Sequence, residues 1–155
     1  MSLSSLISLN VILCENILQE TDQTYSAIRI TDVFYLKRST GNPTVVEPIK
    51  LNILAMGKTY PDDKVEHSAQ LIMVFPDGER SPMGEPLLAI FEAQYDETSI
   101  LAEGSNASDI AGGFSIRAEF TVFPKKVGMY QIAVLIDGEP AARVPFTILE
   151  LKSNA

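Results

Sequence analysis

Phe114-Ser-Ile-Arg-Ala-Glu-Phe-Thr-Val-Phe123 carries apolar side chains at 114, 116, 118, 120 and 122, with Ser115, Arg117, Glu119 and Thr121 between them. Successive side chains of an extended chain point to opposite faces, so this spacing predicts a strand with one dry face. Downstream, Tyr130, Ile132, Val134 and Ile136 alternate in the same way and lead into Asp137-Gly138. That dipeptide tolerates the positive φ of a tight hairpin, and the chain is expected to return through Val144-Pro-Phe-Thr-Ile-Leu-Glu-Leu151. Pro145 has no N–H to give to a ladder, so it belongs where that side of the strand is open.

The same patterning extends upstream. Residues 7–17 and 25–36 read as two strands joined by the polar stretch 19–24. Leu6, Leu9, Leu13 and Ile17 also approximate helical spacing, but the β-branched content and the lack of a cap favour a strand. Residues 37–44 hold Gly41 and Pro43 and read as a loop. Ile49, Leu51 and Ile53 alternate, as do Ala69, Leu71 and Met73, with the turn-rich 57–64 between them. Pro76-Asp77-Gly78 signals a further turn, and residues 86–91 a short strand. About five strands thus precede a polar, acidic stretch at 93–113, which reads as a long loop or insertion. Short strands at even spacing, without a strongly helical segment, predict an all-β antiparallel sandwich of about seven to nine strands, built as a single domain over 1–155.

Composition narrows the function classes. At 155 residues the chain can bury roughly two-thirds of its unfolded surface and needs no disulfide. Its single cysteine, Cys14, sits in the apolar run after Val11-Ile12-Leu13, as a small buried hydrophobe of a reducing compartment would. The first ten residues lack the basic region of an export signal, and Leu13 before Cys14 is too large for a lipoprotein site, so a cytoplasmic location is expected. No run approaches the roughly twenty apolar residues that span a bilayer. Net charge is −8, and residues 59–110 alone hold eleven acids against two bases, Lys64 and Arg80. Such a chain is repelled by polyanions, so neither nucleic acid nor an anionic membrane surface is expected as a partner.

Catalytic and cofactor chemistry finds little support. His67 is the only histidine and cannot build a multi-histidine metal site. A Cys14–His67 pair would need the fold to join distant strands, and packed side chains are the plainer reading. No Gly-x-Ser-x-Gly elbow and no phosphate-cradling glycine loop is present. Glu92, Asp96 and Glu97 lie close in sequence, but acids in a polar loop are ordinarily solvated surface. Asp62 and Asp63 with Asp77 or the later acids offer oxygen ligands for calcium without a recognisable calcium-loop pattern. No cofactor and no catalytic residue is expected. Most aromatic residues fall at alternating strand positions and read as core. Tyr60 and Tyr95 lie in loop stretches beside acids, so Tyr60, Asp62, Asp63, Tyr95, Asp96 and Glu97 are the candidate contacts for a protein partner or a second copy of the chain.

The opening, Val11-Ile-Leu-Cys-Glu-Asn-Ile and Ile28-Arg-Ile-Thr-Asp-Val-Phe34, and the close, Gly128-Met-Tyr-Gln-Ile-Ala-Val-Leu-Ile-Asp-Gly138 with Val144-Pro-Phe-Thr-Ile148, resemble a family of short bacterial proteins grouped as a domain of unknown function. The resemblance covers most of the chain except 93–112. It implies an immunoglobulin-like sandwich and brings no activity, cofactor or catalytic residue. The expected function is a non-enzymatic interaction or structural module, with a carbohydrate-binding or calcium-assisted ligand domain as the alternative.

Overall fold

The computed structural model describes residues 6–22, 24–59, 66–90 and 112–151, which form ten strands and no helix. One sheet holds β1 (Leu6–Gln19), β2 (Tyr25–Ile30), β4 (Ile49–Thr59) and β8 (Gly112–Val122) in the order β2-β1-β4-β8. The other holds β3 (Val33–Leu36), β10 (Glu139–Glu150), β9 (Gly128–Ile136) and β5 (Glu66–Val74) side by side. Along the free edge of β5, β7 (Leu87–Ile90) pairs with residues 66–69 and β6 (Arg80–Pro82) with residues 72–74. They act as one interrupted edge strand, so the sandwich is four strand positions wide on one side and five on the other. It is the all-β sandwich that the alternation predicts.

The core lies where the two sheets face each other. Leu51, Ile53 and Ala55 of β4 and Phe114 and Ile116 of β8 meet Leu71 and Met73 of β5, Ile132 and Val134 of β9, and Phe146 and Ile148 of β10. Tyr130 stacks on Phe146 with ring centroids 5.4 Å apart, and Phe34 meets Phe146 edge-on at 5.6 Å. Offset and edge-to-face contacts of this kind add about 0.5–1.5 kcal/mol each beyond the area they bury. Leu54, one step from Ile53, points the other way and joins Cys14 and Ile17 in a small second cluster under Tyr25 and Ala27.

Two features depart from the simplest reading of the sequence. Residues 25–36 form two strands in different sheets. The Thr31 N–H donates to Leu13 O of β1 (3.1 Å), while the Thr147 N–H of β10 donates to Asp32 O (2.7 Å). The chain therefore changes sheets within two residues, helped by the left-handed Arg29 (φ 53°) just before. Because β3 arrives on β10 from this switch rather than from a hairpin, the pair is parallel, whereas the other ladders are antiparallel. The second departure is β6, whose Arg80-Ser-Pro82 carries no apolar alternation and reads in sequence as connection.

The turn signals are realised. Asp137 and Gly138 both take positive φ, 52° and 81°, as a primed hairpin turn requires. Pro145 pairs only with Gln131 of β9, since β3 covers β10 from Thr147 onward, and its missing N–H faces the open side.

Candidate functional site: the outer face of β9

The strand β9 carries apolar residues on both faces. Tyr130, Ile132, Val134 and Ile136 are buried in the core, and between them Met129, Gln131, Ala133 and Leu135 face outward. Neighbouring strands extend this outer face row by row. Val74 and Pro145 flank Gln131, Ile72 and Arg143 flank Ala133, and Gln70 and Pro140 flank Leu135. At the other end Met129 aligns with Thr147, Thr147 with Val33, and Leu149 with Tyr35. Met129 is 62% exposed, Tyr35 47% and Leu149 45%. Charge enters through Arg143 on β10, Arg80 on the edge strand and Glu66 at the start of β5, leaving the middle of the face without an acid. A solvated sheet face ordinarily carries polar residues, so one whose central strand is uncharged and whose end exposes Met, Tyr and Leu has the character of an interaction surface.

Buried polar bonds pin β9 at both ends. At its start the Tyr130 hydroxyl donates to Lys126 O four residues upstream (2.7 Å), and Tyr130 is fully buried. Burial pushes the Tyr130 phenol up, away from ionisation. Beyond its end, Asp137 ties the β9–β10 turn to β5. Its N–H donates to Ser68 O (2.8 Å), its Oδ1 accepts the Ser68 N–H (2.9 Å), and its Oδ2 lies 2.7 Å from His67 Nδ1. Burial raises the Asp137 carboxyl, but the Ser68 and His67 hydrogen bonds together outweigh it and hold the group below the usual carboxylate range. An ionised carboxylate only accepts, so His67 Nδ1 carries the hydrogen of that bond. His67 is 4% exposed and occupied structurally, as a packed strand histidine would be.

Among the described residues no three His, Cys, Asp or Glu side chains gather as a metal site. Cys14 lies in the second cluster of the four-strand sheet while His67 lies in the other sheet, so the two form no nucleophilic pair. Burial pushes the Cys14 thiol up, which makes it a poor nucleophile. Between the β5–β6 edge and β8 opens a cleft of ≈ 470 Å³ lined by Met73, Phe75, Met83, Phe120, Val122 and Tyr130, with the Asp77–Lys126 ion pair at its mouth. The contacts expected at Tyr60, Asp62, Asp63, Tyr95, Asp96 and Glu97 lie outside the described residues, as does the 93–113 stretch up to residue 111. Sequence reasoning passed over the outer face because alternation was used to find the core. The signal was there in Met129-Tyr-Gln-Ile-Ala-Val-Leu-Ile136, which holds no charge on either face.

Comparison with protein-family models gives no match, and comparison with curated proteins gives none either. Among solved structures the chain is similar to the Pseudomonas fluorescens alkylpurine DNA glycosylase AlkC bound to DNA containing an abasic site analog, at a TM-score of 0.42 and 12% identity, covering 89% of this chain and 30% of that one. A likeness at that level carries neither family nor activity.

Proposed function

We propose that this chain is a non-enzymatic protein-interaction module of immunoglobulin-like type, which docks a protein partner on the outer face of the β3-β10-β9-β5 sheet. The observation that carries the reading is the uncharged outer side of β9, with Met129, Tyr35 and Leu149 exposed at one end of the face. Two features support the immunoglobulin-like part. The order β5-β9-β10 in one sheet opposite β4-β8 in the other matches the shared strands of such sandwiches, and the Tyr130–Lys126 bond matches the tyrosine corner at the start of their penultimate strand. The lone buried cysteine supports a reducing, cytoplasmic setting. The described residues contain no helix long and apolar enough to cross a membrane.

The test is capture from an extract of the source organism with the wild-type chain and with Ala133→Glu, which sets a charge at the middle of the face. A protein retained by the wild type and lost with the variant supports the reading; capture indifferent to the substitution contradicts it. The cleft beside β6 favours a second reading, a small-ligand domain, since an apolar floor of Met73, Phe75, Phe120 and Tyr130 is joined there by polar groups that include Asp77, Glu79, Lys125 and Lys126. A panel of fatty acids, glycans and Ca²⁺ in a thermal-shift assay separates these, since any ligand that binds only the folded state raises its melting temperature.

A further inference from the structure

We infer that the partner seated on this face is a second copy of the same chain, related by a two-fold axis that passes near Ala133; the inference rests on the face being the docking surface proposed above. Three observations point to a copy. The first is area. Along β9 the face is four strand positions wide at about 4.8 Å each, β10, β9, β5 and the β6–β7 edge, and nine residues long at about 3.4 Å per residue, which gives about 590 Å². That is at the low end of the roughly 600–1,000 Å² per partner that standard specific interfaces bury.

The second is charge. Each copy carries −8, so two copies approach most easily through a surface that presents no acid at its middle. The opposite sheet exposes Ile28 and Ile30 on its β2 edge but carries Lys50, Lys58, Arg117 and Glu119 across β4 and β8, and a second layer laid on those strands would strand the charged groups away from water. The arginines of the neutral face lie off its central strand. Arg80 is on the edge and Arg143 on β10, each long enough to carry its charge to the rim while its stem packs.

The third is shape. Two twisted sheets pack aligned at about 30° when the facing side chains are modest in size and interdigitate. Gln131, Ala133 and Thr147 along the middle, with Met129, Leu149 and Tyr35 projecting at one end, meet those conditions on the outside. A two-fold axis makes such a surface complementary to itself.

Sedimentation equilibrium of the full chain from about 1 µM to about 1 mM, the range in which standard-size interfaces of modest affinity dissociate, reads the outcome. The expected result is a species of twice the 17.0 kDa chain mass, lost in Ala133→Glu with an unchanged melting temperature and retained in Arg117→Glu on the opposite face. Should Ala133→Glu fail to fold, Met129→Glu at the exposed end of the same strand serves in its place, with a tenfold or greater weakening expected. A wild-type chain that stays monomeric throughout, or a dimer indifferent to the folded face variants, overturns the inference. A monomer that still captures another protein in an Ala133-dependent way removes the second copy and keeps the docking face. A monomer without such capture removes both.

Discussion

The two outer faces of this sandwich are built from strands of similar length, yet they meet water differently. On the β4–β8 face, Lys50 sits 3.8 Å from Glu119, Arg117 and Lys58 follow further along the two strands, and polar Ser115 and Thr121 share the outward positions with Leu54 and Met56. On the β9 face the alternate positions hold Met129, Gln131, Ala133 and Leu135. The supporting bonds differ in the same sense. β9 is held at both ends by shielded hydrogen bonds, through Tyr130 and Asp137, whereas the ion pair on the charged face is exposed and the fully buried Thr59 hydroxyl at the end of β4 has no hydrogen-bond partner among the described residues. Charged and polar side chains meet water on the β4–β8 face beside the small Cys14, Ile17 and Leu54 cluster, whereas the outer side of β9 carries no charge and the strand is tied by buried polar bonds.

The largest effect that would break this contrast is on association. Ala133→Glu should weaken it at least tenfold, and Arg117→Glu should leave it unchanged; equal effects would mean the faces are equivalent. Next comes the pinning of β9. Asp137→Ala should cost about 2–4 kcal/mol in a denaturant titration, from the lost charge-assisted bonds and the left-handed φ that Ala tolerates poorly. Asp137→Asn keeps the turn and isolates the charge. Because the folded Asp137 carboxyl lies below its ordinary value, its contribution is complete above about pH 4 and is lost as pH falls through the folded value. The asparagine variant should therefore show a flatter acid limb in a stability-versus-pH curve.

Smaller effects sharpen the same comparison. Tyr130→Phe should cost about 1–2 kcal/mol, since it leaves the Lys126 carbonyl without its donor and alters little else. On the core side of β4, Thr59→Val removes an unpaired buried hydroxyl at nearly equal volume and should stabilise by about 1 kcal/mol in thermal or chemical unfolding. Lys50→Ala should change stability by less than about 0.5 kcal/mol, as for other exposed ion pairs.

Much of the fold was legible because its signals are local. Alternation over 114–122 and 130–136 gives β8 and β9 directly, and Asp137-Gly138 fixes the hairpin between β9 and β10 because few other dipeptides accept positive φ twice. What escaped the sequence is non-local or lacks a side-chain pattern. The sheet switch at Thr31-Asp32 depends on bonds to Leu13 and Thr147, more than a hundred residues apart, and β6 is held by its ladder to β5 rather than by any alternation of its own. His67 and Asp137 are seventy residues apart, so neither announces the other. The outer side of β9 lay in plain view as an uncharged strand, but a residue opposite a core position is read as solvent-facing by default, and only the rows contributed by β5, β10 and β3 reveal a broad surface.

Oxidation footprinting of the two outward methionines tests the central claim most directly, because each reports on one face. Met129 is 62% exposed on the neutral face and Met56 38% exposed on the charged one. As the protein is concentrated, the Met129 oxidation rate should fall several-fold while the Met56 rate holds constant. Rates that stay constant at both positions, or fall together, would contradict the pairing of two copies through the β9 face.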